Sequence, residues 1–229
     1  VHVGVPLWLQ KRTDPVVPDG APVVNAGAPV RFVLEAASFP RPADPPLPPF
    51  PPGAYAPGVR LTDTLPAGLI YELGSTTIDS EDLNESGSLD PGEDRNGNGR
   101  LDQNVSFEPS IQPGAVEGET TLTWVIGNLP YQRRVPLIRY AVRTSRLLRG
   151  GTSLANMAGL WAANDRAPDC RPGPRDAEGG RCAWAQLIVA NIAAAQVEKL
   201  PRLPLVLPGQ PMVYRLALAN LTARPVEWF

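Results

Sequence analysis

Histidine occurs once in this 229-residue chain, at His2, and lysine only at Lys11 and Lys199. Cysteine and methionine appear twice each. A lone histidine in an apolar N-terminal stretch, with no serine or cysteine in a nucleophile elbow, leaves no triad to assemble. Two cysteines and one histidine are too few ligands for a structural zinc site. No glycine-rich phosphate loop precedes a helix pattern, and no basic patch is interleaved with aromatics, so nucleic acid is not an expected partner. The longest apolar candidate, Ala183 to Val197, is interrupted by Gln186 and Asn191 and is too short to span a bilayer, so no transmembrane segment is expected. The chain opens on Val1 without a signal-peptide pattern, which reads as a processed or excised segment. A non-catalytic protein is the expectation.

Proline is abundant instead, at 28 residues, which disfavours long helices and favours strands joined by stiff turns. Hydrophobic residues make up 43% of the chain, ample for a real core. Period-two alternation recurs: Val1, Val3, Val5, Leu7 and Leu9; Val30, Phe32 and Leu34; Leu122, Trp124 and Ile126; Ile138, Tyr140 and Val142. Leu154 to Ala162 and Trp184 to Ala194 flank a cysteine loop as the arms of a hairpin. Only Ala183 to Gln196 has the alanine content to rival a strand with a helix. Many strands with Pro/Gly turns predict an all-β antiparallel sandwich. Phe39 to Gly58 is a polyproline-like surface excursion inserted between two strands.

The densest chemistry lies between Asp79 and Asn104, where eight acids face two bases, a local charge of −6 in a chain of formal net −2. Asp82, Asn84, Ser86, Ser88, Asp90 and Glu93 fall at positions 1, 3, 5, 7, 9 and 12 of an EF-hand-like calcium loop, with Gly87 at the sharp turn. Hard Ca²⁺ takes six to eight oxygens, and the last glutamate can supply two. Asp94, Asn96, Asn98, Gly99 and Asp102 begin a second loop at once, but its twelfth position is Val105. That site should be weaker or take a ligand from elsewhere. Paired EF-hand helices are not expected around these loops; the insertion, 79–105, should be ordered by calcium.

Cys170 and Cys182 bracket a loop with no core-forming residue, spanning 165–182 with its approach. A disulfide here is worth about 3 kcal/mol in the chain-entropy picture and implies an oxidising, extracytoplasmic setting. The alternatives are two free thiols or a metal site short of ligands. Lys11 reads most simply as a surface lysine; the rarer reading is an intramolecular isopeptide with Asn156 or Asn191. Trp124 reads as core. Trp8, Trp161, Trp184 and Trp228 remain candidates for a sugar-stacking platform, Trp228 above all.

The two ends repeat one pattern: a lysine, a proline turn, then Ala26-Gly-Ala-Pro-Val-Arg-Phe-Val-Leu34 in one copy and Pro208-Gly-Gln-Pro-Met-Val-Tyr-Arg-Leu-Ala-Leu218 in the other. Residues 1–196 would form one module, and 197–229 the first strands of a second, or a strand donated to a neighbour. Leu61-Thr-Asp-Thr-Leu-Pro-Ala-Gly-Leu-Ile-Tyr71, Thr121-Leu-Thr-Trp-Val-Ile-Gly-Asn-Leu129, Leu154-Ala-Asn-Met-Ala158 and the fresh start from Val206 to Asn220 resemble the Ig-like conserved repeat domain of bacterial and archaeal surface proteins. The resemblance implies an Ig-like β-sandwich in stalks, fibres, envelope proteins or adhesins, and no catalytic residues. The proline-rich, calcium and cysteine loops depart from it as insertions. The expected function is a calcium-stabilised structural component of the cell surface or an extracellular fibre, with copies of itself or neighbouring modules as partners. The alternative is an adhesin or carbohydrate-binding accessory module of a larger secreted protein, contacting other surface proteins or glycans.

Overall fold

The computed structural model describes residues 5–17, 20–39, 50–170, 180–190, 195–201 and 214–220, the last two segments as backbone only. His2, Asn191, Trp228, the middle of the proline-rich excursion and most of the loop between the cysteines lie outside them. Among the described residues there is no helix and there are fourteen strands. They are β1 Trp8–Asp14, β2 Val23–Val24, β3 Pro29–Ala37, β4 Tyr55–Leu65, β5 Leu69–Tyr71, β6 Thr77–Ser80, β7 Gln103–Ser106, β8 Ser110–Pro113, β9 Thr120–Pro130, β10 Arg134–Thr144, β11 Ser153–Trp161, β12 Cys182–Val189, β13 Ala195–Pro201 and β14 Tyr214–Asn220.

The first sheet runs β1-β3-β10-β6-β7, with β5 also paired to β10; the second runs β2-β12-β11-β4-β9-β8. Inward faces follow the alternation of the sequence. Val30, Phe32 and Leu34 of β3 and Ile138, Tyr140 and Val142 of β10 meet Leu61 and Leu65 of β4 and Leu122, Trp124 and Ile126 of β9. This is an all-β, Ig-like sandwich around one continuous core. The expected hairpin across the cysteine loop forms: Ala183–Val189, for all its alanines, lies in strand β12, whose pairing with β11 buries Ala183, Leu187 and Val189. The match is not complete in two places. Tyr55–Gly58 belongs to β4 and not to the proline-rich excursion. The two-residue β2 pairs parallel with β12, where antiparallel neighbours were expected throughout.

Among the described residues, prolines within strands sit at strand ends, as Pro29, Pro113, Pro130 and Pro201 do, or where the register shifts. The β4–β9 register slips between Ala56 and Val59, around Pro57 and Gly58, and β10 bulges between Val135 and Ile138, around Pro136. The Leu65-Pro-Ala-Gly68 corner closes with the Leu69 N–H donating to Pro66 O at 3.0 Å. Gly68 has φ 99°, the left-handed region that favours glycine, and a Cβ there would also push on the end of the Leu148 side chain, 2.7 Å from Cδ2. Leu160 is fully buried whereas Leu73 is 78% exposed. Leu160→Ala should destabilise the fold by about 2–5 kcal/mol in urea titration. Leu73→Ala should change it by less than about 0.5 kcal/mol.

Candidate functional site

The hairpin β6–β7 leaves the first sheet as a backbone ladder and opens at its tip into the acidic loops. Leu83, buried in the core cluster, anchors the first loop, and the Arg95 guanidinium lies 4.5 Å over the Phe107 ring to settle the second.

Within the first loop the Asp82 carboxylate accepts the N–H groups of Ser86 and Gly87, both at 2.8 Å. Asn84 Nδ2 and Ser86 Oγ both donate to Asp90 Oδ2, at 2.8 and 3.0 Å, so positions 3, 5 and 9 converge. Ser86 Oγ also lies 3.0 Å from the Ser88 carbonyl oxygen, the position-7 backbone donor atom of such a loop. Glu93 receives Leu83 N–H on one oxygen and Asp90 N–H on the other, each at 2.9 Å. The second loop copies this. Asp94 accepts from Asn98 and Gly99 at 3.0 and 2.9 Å, and Asn96 Nδ2 and Asn98 Nδ2 both donate to Asp102 Oδ2.

The glutamate missing from its twelfth position is supplied by Glu81. Its two oxygens accept Arg95 N–H at 2.8 Å and Asp102 N–H at 3.0 Å, the same two places that Glu93 holds in the first loop. Val105 is therefore not the counterpart of Glu93; Glu81, from just before the first loop, is. A reading of each loop alone misses it. A twelve-residue tandem repeat, Glu81-Asp-Leu-Asn-Glu-Ser-Gly-Ser-Leu-Asp90 over Glu93-Asp-Arg-Asn-Gly-Asn-Gly-Arg-Leu-Asp102, carries the signal, since it starts one residue before each first aspartate. The backbone repeats as well: Glu85 and Gly97 share φ 54° and 74°, and Gly87 and Gly99 share 74° and 72°.

Glu81 and Glu93 are both buried. Burial, assisted by the charges of Asp90 and Asp82, raises the Glu93 carboxyl above its ordinary range against the pull of its two backbone N–H bonds. The Asn96 and Asn98 amides hold Asp102 below its usual range. Among the described residues no group of three or more His, Cys, Asp and Glu side chains is gathered for a metal ion. Each loop gathers a mixed set of carboxylate, amide, hydroxyl or carbonyl oxygens. Hard divalent cations prefer such a set, and soft metals do not.

The remaining sequence candidates fall elsewhere. Cys170 and Cys182 form a disulfide, with Cα atoms 5.5 Å apart. Trp124 is core, its indole N–H donating to Phe107 O at 2.9 Å. Trp8, Trp161 and Trp184 are half-buried on different strands. Lys11 is not a surface lysine. It follows Leu7 and Leu9 on the inward face of β1 and is 4% exposed, since the strand alternation carries its side chain between the sheets. Its Nζ donates to Asp63 Oδ2 at 2.5 Å, and Tyr140 OH donates to the same oxygen at 2.7 Å. Asn156 Nδ2 donates to Tyr140 OH at 2.9 Å. Asp63 Oδ1 and Asn156 Oδ1 are buried and accept nothing, a cost of about 1–3 kcal/mol each. Burial pushes the Lys11 ammonium down to about 8, with the Asp63 charge pulling the other way, and raises the Asp63 carboxyl.

No known family profile matches the chain, so the Ig-like repeat resemblance rests on the motifs quoted above; no curated protein matches it either. Solved structures similar to it include BcpA, the major pilin subunit of Bacillus cereus (11% identity over 92% of this chain and 52% of that one, TM-score 0.42). Others are the T6 backbone pilin of serotype M6 Streptococcus pyogenes (14%, 85% and 37%, 0.39) and the C-terminal domain of the Streptococcus pyogenes antigen I/II-family protein AspA (11%, 80% and 46%, 0.39). The chain spans between a third and just over half the length of those structures.

The exchange of glutamates predicts separable effects. Glu81→Ala should speed amide hydrogen exchange at Arg95 and Asp102 by about tenfold or more, the loss of a hydrogen bond to a charged acceptor. Leu83 and Asp90, held by Glu93, should keep their protection. Equal acceleration at all four amides would show that Glu81 does not serve the second loop specifically.

Proposed function

We propose that this chain is a non-catalytic structural component of the cell surface or of an extracellular fibre, stiffened by calcium in its paired loops and joined to similar modules through β-strands. The observation that carries this reading is a repeated register. In the sandwich, Lys11 of β1 stands opposite Leu34 of β3. Beyond it, β13 and β14 form a sheet of their own in which Lys199 stands opposite Leu216. The sequence that follows each lysine is also alike, so β13–β14 is the opening strand pair of a second module. Two strands alone are marginal in water, so this pair needs further strands, from its own chain or from a neighbouring subunit. Strand addition between copies gives a head-to-tail contact that propagates.

Calcium fits the same picture. Asp82, Asn84, Ser86, Ser88, Asp90 and Glu93 would hold one ion, and Asp94, Asn96, Asn98, Asp102 and Glu81 the other. Each carboxylate oxygen of Glu81 and Glu93 uses one lone pair on a backbone N–H and keeps a second for a cation. Two divalent ions would offset most of the local charge of −6. The Cys170–Cys182 disulfide suits an extracytoplasmic setting.

One observation favours the adhesin or carbohydrate-binding reading: Phe50 and Tyr131 pack with ring centroids 4.6 Å apart and planes tilted by 40°, beside the half-exposed Tyr55. Binding to a glycan panel that is lost in Tyr131→Ala would support it.

Isothermal calorimetry should find two calcium sites, one lost in Glu93→Gln and the other in Glu81→Gln. Calcium at a hundredfold its Kd should stabilise the fold by about 2.7 kcal/mol per site. Unchanged affinity in both variants would refute the ligand assignment. Negative-stain microscopy tests the assembly: filaments that fray on chelation support the fibre reading, and monodisperse particles with and without calcium oppose it.

A further inference from the structure

Four side chains that the proposed function does not use lie in one water-excluded file between the sheets: Lys11, Asp63, Tyr140 and Asn156. Lys11 comes from β1 in the first sheet and Tyr140 from β10, two strands along in the same sheet with β3 between. Asp63 and Asn156 come from the adjacent strands β4 and β11 of the second sheet, where Asp63 pairs with Ala158, so Asn156 is its diagonal neighbour on the same inward face. Side chains of Lys11 and Asp63 have no solvent exposure, and Asn156 is equally enclosed. The rings of Phe32 and Tyr140 flank the Lys11 nitrogen at 4.9 and 5.8 Å.

We propose that Lys11 and Asn156 condense spontaneously into an intramolecular isopeptide bond, with Asp63 as the proton-transfer group. This assignment is independent of calcium and of fibre assembly.

The chemistry balances without an external reagent. Asp63 Oδ2, 2.5 Å from Nζ, takes the proton that leaves Lys11, and the neutral amine adds to Asn156 Cγ. Protonated Asp63 then donates to Tyr140 OH, and the phenol donates to Asn156 Nδ2, along contacts of 2.7 and 2.9 Å. The C–N bond to Nδ2 breaks, the second proton of the attacking nitrogen passes through Asp63 to the departing ammonia, and ammonium leaves. The net change is alkylammonium plus carboxamide to secondary amide plus ammonium, with Asp63 and Tyr140 regenerated. Burial favours the reaction twice: it lowers the lysine toward its neutral, nucleophilic form, and it keeps water from competing at Cγ. Asn156 is the acyl partner because its nitrogen rests on a hydroxyl able to protonate it as it leaves. Asp63, whose Oδ2 already takes both the lysine and the tyrosine, is the base.

The deciding measurement is the intact mass of the purified chain, with the disulfide allowed for. A mass one ammonia below the sequence value is expected, with a proteolytic fragment joining the Lys11 and Asn156 peptides in tandem spectra. Asp63→Asn, Lys11→Arg and Asn156→Ala should each restore the full mass. A wild-type mass equal to the sequence value would overturn the proposal whatever the variants do. Loss of water with Lys11 joined to Asp63 would overturn the assignment of Asn156.

Discussion

Tyr140 is the side chain on which the two halves of this sandwich are fastened. Its ring stacks on Phe32 at 5.5 Å within its own sheet and reaches Trp124 of the opposite sheet at 5.6 Å. Its hydroxyl then carries the contact from apolar to polar, meeting Asp63 and Asn156. A buried phenol needs a partner for its O–H, and burial together with the Asp63 charge holds it well above its ordinary range. Removing Lys11, Asp63 or Tyr140 leaves a charge or a donor stranded, the costly way to break a buried polar group's pairing. The packing of the core and the fate of Lys11 are therefore one problem.

The acidic loops obey a different constraint. They hang from the edge of the first sheet, and their backbone N–H groups have no ladder to join. Glu81 and Glu93 supply acceptors instead, each holding two amides of a loop whose first aspartate holds two more. Satisfying buried amides with carboxylates concentrates negative charge, and a cation then becomes the natural complement. The clustering of oxygens and the folding of the insertion are consequences of the same hydrogen bonds.

Much of this was legible in the sequence. The alternation of β3, β9, β10 and β11 is unambiguous because each strand has one buried face, and the glycine-centred loops announce their oxygens by spacing. What stayed hidden depended on partners distant in sequence. The period-two pattern places Lys11 with Leu7 and Leu9, but a lysine is buried only where a carboxylate meets it, and Asp63 lies 52 residues away. Glu81 escaped a motif counted forward from Asp82, because its partners belong to the next repeat. β12 was legible as a hairpin arm despite alanines that suit a helix locally, and its pairing with β11 is the tertiary context that overrides so weak a propensity.

The stabilising devices also share a location. A sandwich opens from its edges, where strands have one neighbour and local opening is cheapest. β1 and β7 are the outer strands of the first sheet. Lys11 ties β1 inward to the second sheet, and the paired loops brace the β6–β7 hairpin at its tip. In the second sheet, Cys182 begins β12, whose outer neighbour is only the two-residue β2. None of these devices adds to a core that is already closed; each resists the strand whose departure would begin unzipping.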